Sequence, residues 1–527
     1  MRNQVYNPFL PIWETIPDGE PHVFEGRLYL FGSHDMEGGQ RYCQQGNYVS
    51  WSAPTDDLSD WRYEGVIFEA KQDPRVQGEL CDLYAPDVVR GNDGRYYLYY
   101  CISGGASDTV ADTHNTPIGV AVCNTPAGRY EYLGFVRNPD GSPYLRYLPH
   151  DPAVINDNGT IRLYHGYALS MKAAEGHGAH NGQSMPDFRS MSAETRRKFL
   201  LPAEEMLFHR SAEELATYTE DIMGANVVNL ADDMLTVCSE PKRILPGQLM
   251  AYGTEFEGHA FYEASSIRKV GERYYFIYSD ENSHSLAYAI SRYPDRDFQF
   301  GGVLISNGDV GLNGRKEADR LSQTANNHGS IEQLNGRWYV FYHRHTHNST
   351  FSRQACAEPV EIAEDGSIVQ VPCTSCGLNG GALKAEGNYP AVIACNLTNG
   401  HMPHLANRVG DQDIPYITHS GEGKDAVRFI ANIQDGTWIV YKYFAFSGPV
   451  VLTIQARADG CGYFSVRLGE SEQGKIDLPV TETWAESRLI IEGKGEKSLE
   501  LCFHGDGSAA LRSIGFLPCE EHERGTT

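Results

Sequence analysis

Apolar and polar positions alternate along the first 350 residues in one phrase that is written five times. The copies read HVFEGRLYLFGSH from His22, VVRGNDGRYYLYYC from Val88, AVINDNGTIRLYHG from Ala153, ASSIRKVGERYYFIYS from Ala264 and GSIEQLNGRWYVFYH from Gly329. Each joins a short apolar segment to a dense aromatic one across a turn. Alternation on both sides of N-D-G, D-N-G or L-N-G predicts two strands and a tight hairpin. A hairpin unit recurring at wide spacing predicts a radial array of sheets, here an all-β, five-bladed β-propeller.

The segments after the hairpins repeat as well. YVSWSAPTDDLSDWRYEGVIF, GVAVCNTPAGRYEYLGFV and LAYAISRYPDRDFQFGGVLIS share a strand, a polar turn, an aromatic residue and a Gly-containing apolar strand. The repeats are anchored at Asp18, Asp87, Asp151, Glu263 and Asn327. Their spacing is about 65 residues, except for a third interval about 45 residues longer, which fits four-stranded blades with one insertion. The excess maps to residues 168–215, where SMSAETRRKFLLPAEEMLFHRSAEELA has helical spacing with Ser192 and Ser211 as N-caps. Such an insertion either shapes a pocket or is a surface excursion. The propeller is expected over residues 1–376. Gly-rich GLNGGALKAEGNYP, residues 377–390, reads as a linker. Residues 391–527 carry short alternating strands with frequent turns, which predicts a β-sandwich of the jelly-roll type.

Composition narrows the function classes. With 41% hydrophobic and 21% charged residues, the 527-residue chain has the make-up of a soluble globular protein of more than one domain. Its 31 Tyr, 21 Phe and 6 Trp favour strands and also suit sugar-stacking surfaces. A net charge of −25 argues against nucleic acid and anionic membrane surfaces as partners. No apolar run approaches the roughly 20 residues that span a bilayer. MRNQVYNPFLPIWETIPDGEP lacks the apolar core of a signal peptide, so a cytoplasmic location is expected, or a secreted one if a leader has been removed. Most of the twelve Cys lie in strand-like apolar runs and read as buried hydrophobes in a reducing compartment. Cys373 and Cys376 form a lone CxxC, without the second pair a zinc site needs.

Three repeats are entered by carboxylates, Asp18, Asp151 and Glu263, at a shared phase ahead of an aromatic strand. In a propeller, acids at one phase of three blades converge on the central funnel. Crowding and burial there push their pKa values apart, the condition for acid–base chemistry on a glycosidic bond. Glu20 competes with Asp18 for the first position, and Glu257 with Glu263 for the third. His34 and Asp35, ending the first aromatic strand, are expected to line the pocket. Arg344, after the fifth aromatic strand, could clamp sugar hydroxyls, with Arg353 as its rival. His343, His345 and His347 alternate on that strand.

These residues resemble glycoside hydrolase family 43. HDPAVINDNG is similar to its middle-blade IDPxLFxDxDG motif, and DGEPHVF before EGRLYLFGSH stands where its Asp-Pro motif opens the first blade. In YEASSIRK, Lys269 follows Glu263 by six residues, as in its EGP or EAP motif, and LYAPDVV matches its WAPD with Tyr84 in place of Trp. The resemblance covers residues 5–370 and implies inversion, with Asp18 as general base, Glu263 as general acid and Asp151 tuning and orienting that acid. It also implies Tyr84 as an aromatic platform and Asp87 as a polar sugar contact, though Asp87 reads equally as a turn cap. His328 in NNHGSIEQ matches an axial His found near Ca2+ or a water cluster; no cofactor is required, and a structural Ca2+ is the one metal expected. Residues 390–520 resemble a family 6-type carbohydrate-binding module. The implied activity is exo-acting removal of terminal pentose or furanose residues, of β-D-xylosidase or α-L-arabinofuranosidase type, from an oligosaccharide or polysaccharide. A β-D-galactofuranosidase and a catalytically silent carbohydrate-binding propeller are the rivals.

Overall fold

A computed structural model describes residues 4–76, 82–102, 115–170, 186–405, 408–410 and 413–519. Nearly all regular structure is strand. Four antiparallel four-stranded sheets succeed one another, running from Glu20–Phe24 to Arg62–Glu69, Leu83–Arg90 to Glu131–Phe135, Ala153–Asp157 to Lys242–Pro246 and Phe261–Val270 to Gln299–Ser306. A fifth, of Ser330–Leu334, Arg337–His345 and Arg353–Val360, has three strands where four were expected. Within each sheet the strands neighbour in chain order. The first strand of each sheet touches the first strand of the next, and that of the fifth touches that of the first. This closed succession is consistent with a β-propeller.

The hairpins explain why the repeats fold alike. The register pairs Phe24 with Arg27, Asp157 with Thr160 and Leu334 with Arg337, leaving the two-residue loops Glu25–Gly26, Asn158–Gly159 and Asn335–Gly336. All six residues have positive φ, the geometry whose twist matches that of the flanking strands. Aromatic second strands then bury between neighbouring sheets. One apolar cluster joins Tyr29 and Phe31 of the first sheet to Leu83 and Val88 of the second, and others join the second to the third, the third to the fourth and the fourth to the fifth. A further cluster packs Leu28 and Trp51 of the first sheet on Tyr339 and Phe341 of the fifth. Burying one such side chain is worth roughly 1.5–3 kcal/mol, so closure is driven by the same residues that mark the repeat. The N-terminal segment seals the seam: Asn7 Nδ2 donates to Ala357 O, Glu358 Oε1 and Thr374 O at 2.9–3.0 Å.

The described part of the insertion is helical. Ser192 accepts from Thr195 N at the start of helix Ala193–Phe208, and Ser211 from Glu214 N ahead of Ala212–Leu215, as the capping pattern predicts. Leu200, Phe208 and Leu215 pack on the cluster between the third and fourth sheets. Residues 171–185 lie outside the described residues.

Residues 377–390, expected to be a linker, are instead woven into the C-terminal sheets. Leu383–Lys384 pairs with Trp438–Phe446, and Gly387–Pro390 with Ala509–Pro518. These contacts reach more than a hundred residues ahead in the second case, which local composition does not reveal. The C-terminal unit has two six-stranded sheets around one apolar core that includes Tyr389, Ile430, Phe444, Phe464 and Phe516.

Candidate active site

The three acids reach one place by different backbone devices. Asp18 and Asp151 each stand two residues before the first strand of their sheet, with φ of 56° and 45°. Such left-handed geometry is uncommon for non-glycine residues and concentrates at functional sites. Glu263 lies inside Phe261–Val270, where the pairing with Arg273–Asp280 shifts on both sides of it and Ala264 has φ of 68°. A bulge re-aims a side chain out of the regular pleat. Ala264 N then donates to Asp151 Oδ2 at 2.7 Å, which ties the bulge of the fourth sheet to the acid of the third.

His328 stands between the other two acids, its Nδ1 4.0 Å from Asp18 Oδ1 and 3.9 Å from Asp151 Oδ2. Asp151 Oδ1 is 3.3 Å from His150 Nε2, and one side-chain atom each of His150, Asp151 and Glu263 lies within 4.8 Å of the others. Burial, then the charges of Asp151 and Asp18, hold Glu263 well above the usual carboxylate range, with Arg353 opposing them. Glu263 is half-buried, and its carboxyl hydrogen-bonds to no described residue, so its proton is available to a ligand. Desolvation pushes His150 down to about 3, with the charge of His328 adding to it, so His150 is a neutral neighbour of Asp151.

Arg353 organises the other side. Its guanidinium forks onto Asp35 at 2.8 and 3.0 Å, donates to Asp18 Oδ1 at 2.8 Å, and lies 4.7 Å over the Tyr42 ring. The fork fixes the planar group while the remaining nitrogen holds Asp18. His343, pushed well below its ordinary value mainly by burial, donates from Nε2 to Asn326 O at 3.0 Å and accepts from Asp18 N at Nδ1.

Several expected sugar contacts sit elsewhere. Arg344 is on the opposite face of its strand from His343, and its guanidinium binds Gln354 Oε1 and Ala394 O, toward the C-terminal unit. Strand alternation gives the position beside Asp18 to His343, and Arg353 from the next strand is the arginine that joins the acids. Asp35 is fully buried and spent on Arg353 and Cys43 N, so it positions Arg353 and does not line a pocket. Asp87 is fully buried too: its Oδ1 accepts from His22 Nε2 at 2.6 Å and Val88 N, and its Oδ2 from Val154 N. It stitches three sheets together and has no oxygen left for a sugar. Tyr84 is half-buried with its ring centre 6.1 Å from that of His150, beside the acids. His34 bonds Asn47 at 2.8 Å and Glu14 at 3.2 Å and lines a neighbouring groove.

The rival acids are engaged as well. Glu20 pairs with Arg268 at 3.0 Å, and Glu257 with Arg189. Lys269 pairs with Asp157 at 2.6 Å, away from Glu263. The sequence pattern does not single out His150 or His343 as site residues, although His150 adjoins Asp151 in the HDP motif and His343 alternates with His345 on its strand. Among the described residues, His328 belongs to no group of three convergent His, Cys, Asp or Glu ligands. Ca2+ takes six to eight oxygens, so an ion at His328 would depend on water for most of its shell. Cys373 and Cys376 also join no such group.

The model of Glycosyl hydrolases family 43 matches residues 17–205 and 206–368, a span that holds Asp18, Asp151 and Glu263. The chain belongs to this family. It is accordingly a glycoside hydrolase. A xylosidase/arabinosidase of Thermoclostridium stercorarium is 40% identical over 98% of this chain and 99% of its own length. A xylosidase/arabinosidase of Bacteroides ovatus is 26% identical over 68% of this chain and 95% of its own. A solved family 43 β-xylosidase/α-arabinofuranosidase from a compost microbial metagenome, in complex with xylotriose, is 23% identical, covers 70% of this chain and 98% of that one, and has a TM-score of 0.47.

Proposed function

We propose that this glycoside hydrolase removes terminal pentose or furanose units from the non-reducing ends of plant or microbial glycans, as an inverting β-D-xylosidase or α-L-arabinofuranosidase. The five sheets act as the blades of a propeller over residues 1–376, and the C-terminal sheets as a sandwich akin to a carbohydrate-binding module. The observation that carries the reading is a half-buried Glu263 grouped with Asp151 and His150, its pKa raised by burial and then by the charges of Asp151 and Asp18, while a guanidinium braces Asp18.

In the proposed reaction, Glu263 gives its proton to the leaving oxygen as the glycosidic bond breaks. Asp18, braced by Arg353 and Asp35, takes a proton from the water that attacks the opposite face of the ring. Asp151 keeps Glu263 protonated by like charge and fixes the bulge that aims it. Tyr84, His150 and Tyr167 offer an apolar flank, the His150 ring lying 5.6 Å from that of Tyr167. The chemistry needs no cofactor; a structural Ca2+ near His328 would act only on the local field.

Nitrophenyl β-D-xylosides, α-L-arabinofuranosides and β-D-galactofuranosides, with proton NMR of the first-formed product, test the reading. Release of xylose or arabinose with inverted anomeric configuration is expected. Retention, or turnover of galactofuranosides alone, would contradict it.

A further inference from the structure

Among the described residues, three groups of three His, Asp or Glu side chains converge closely enough to share one ion. His150, Asp151 and Glu263 belong to the acid recess, and Glu20 and Asp87 of the second group are bound to Arg268, Val88 and Val154. The third group, Glu37, His347 and His419, lies outside both and joins three parts of the fold. Glu37 stands between the first-sheet strands Arg27–Phe31 and Asn47–Pro54, His347 just past the fifth-sheet strand Arg337–His345, and His419 on Tyr416–Ser420 of the C-terminal unit.

His347 Nε2 is 2.8 Å from His419 Nδ1, which is 3.6 Å from Glu37 Oε1. Backbone docking aims the pair: His347 N donates to Ile417 O at 2.7 Å, two residues before His419 on the same strand. The other ring nitrogen of His347 is held from behind, with Nδ1 2.9 Å from Thr346 Oγ1. Thr346 Oγ1 gives its own proton to Ser352 O at 2.9 Å, so it accepts from His347 Nδ1 and leaves Nε2 the lone pair that a metal takes. Glu37 is oriented as firmly. Arg428, only 6% exposed, forks onto it at 2.9 and 2.7 Å. Each carboxylate oxygen gives that fork one lone pair and keeps another.

Two imidazole nitrogens and one carboxylate oxygen make a donor set suited to Zn2+ and its first-row neighbours, whereas Ca2+ and Mg2+ call for oxygens throughout. Ligand nitrogens about a tetrahedral ion stand roughly 3.3 Å apart, so the two rings need to part by only about 0.5 Å. Glu37 and His419 line a groove of about 630 Å3, which gives an ion entry and water to complete its shell. The charge of Arg428 opposes a dication, which makes this a weaker site than one built of thiolates.

We propose that Glu37, His347 and His419 bind one divalent transition-metal ion, Zn2+ foremost, as a clip between the C-terminal unit and the first and fifth sheets. Its role is structural. Glu37 follows Asp35 by two residues and Ser352 adjoins Arg353, so the clip steadies the segments that supply the Asp35–Arg353 fork.

Full-length protein freed of metal by a chelator and titrated with Zn2+, beside Ca2+ and Mg2+, tests the clip. One equivalent of Zn2+ is expected to bind and, at a hundredfold excess over Kd, to raise the melting temperature by about 2 °C; Ca2+ and Mg2+ should do neither. His347→Ala and His419→Ala should each weaken Zn2+ binding at least about tenfold and abolish the shift, taken from each variant's own metal-free melting temperature. His401→Ala, at an exposed position outside the group, should retain both. X-ray absorption at the zinc edge reads the ligands of the unsubstituted protein directly, and two imidazoles per zinc are expected. Absence of stoichiometric binding, fewer than two imidazoles, sulfur in the zinc shell, or binding that survives both substitutions overturns the proposal.

Discussion

Asp18 and Glu20 are two residues apart, both at most 5% exposed, and both near the ring of first strands, yet they live in different surroundings. Asp18 looks into the recess with Asp151, Glu263 and His328, held on one side by Arg353. Glu20 looks into a sealed layer with His22, Asp87 and Arg268. Burial lifts Glu20 to about 7 against the pull of Arg268, and Asp87 in the same layer spends both oxygens on protein donors. A sealed carboxylate such as Glu20, paired with Arg268 and without a face to a ligand, can only hold sheets together. A carboxylate with a side turned to solvent can exchange a proton with a ligand. At an axis crowded with acids, a place in the group with Asp151 and Glu263 separates the candidate catalytic carboxylates from the structural ones, and a perturbed pKa alone does not.

Substitution at the two positions should break the comparison cleanly. Asp18→Asn is expected to lower kcat about 10^3-fold with little change in melting temperature. Glu20→Gln should leave kcat within tenfold but cost about 3 kcal/mol of stability, because it strips a buried charge from Arg268. Steady-state kinetics and thermal melts read both; reversed outcomes would exchange their roles. Arg353→Met should cost about 10^2-fold in kcat, and Asp35→Asn less, since Asp35 acts only through the guanidinium.

A smaller effect sharpens the electrostatics. In the proposed role Glu263 acts in its protonated form, so the alkaline limb of kcat/KM is expected to fall as pH rises through its elevated pKa. Asp151→Asn removes the largest like charge, lowers that pKa, and should move the limb to lower pH. An unmoved limb would deny Asp151 its tuning role. A last effect falls on stability alone and belongs to a purely structural acid. Glu358, buried under the N-terminal seam, is raised to about 8 by desolvation despite donors from Thr374 and Tyr342. Its folded-state pKa exceeds the unfolded one, so its contribution is complete below the unfolded value and declines as pH rises toward about 8. Relative to Glu358→Gln, the unsubstituted protein should lose stability across that window by at most about 1.4 kcal/mol per pH unit in denaturant titrations.

Much of this molecule was legible in the amino-acid sequence because its information is local. Hairpin turns, aromatic second strands and the Ser192 and Ser211 caps each sit within a few residues of what they determine. Asp18 and Asp151 do share a phase, two residues ahead of their first strands, whereas Glu263 lies inside its strand and is turned by a bulge that the repeat does not show. Long-range pairing was not legible. Arg344 and Arg353 are distinguishable only once the register of Arg337–His345 with Arg353–Val360 is known. Asp35 and Asp87 look like pocket acids until their donors arrive from Arg353, His22 and Val154. The strands within 377–390 exist only through partners near 440 and 515.

The central claim is that Glu263 supplies the proton to the leaving group, and leaving-group dependence measures it most directly. Rates for Glu263→Ala should collapse on natural oligosaccharides, by about 10^3-fold, yet approach those of the unsubstituted enzyme on dinitrophenyl glycosides, whose departure needs no proton. Equal losses on both substrates would contradict the account and remove Glu263 from the acid's role.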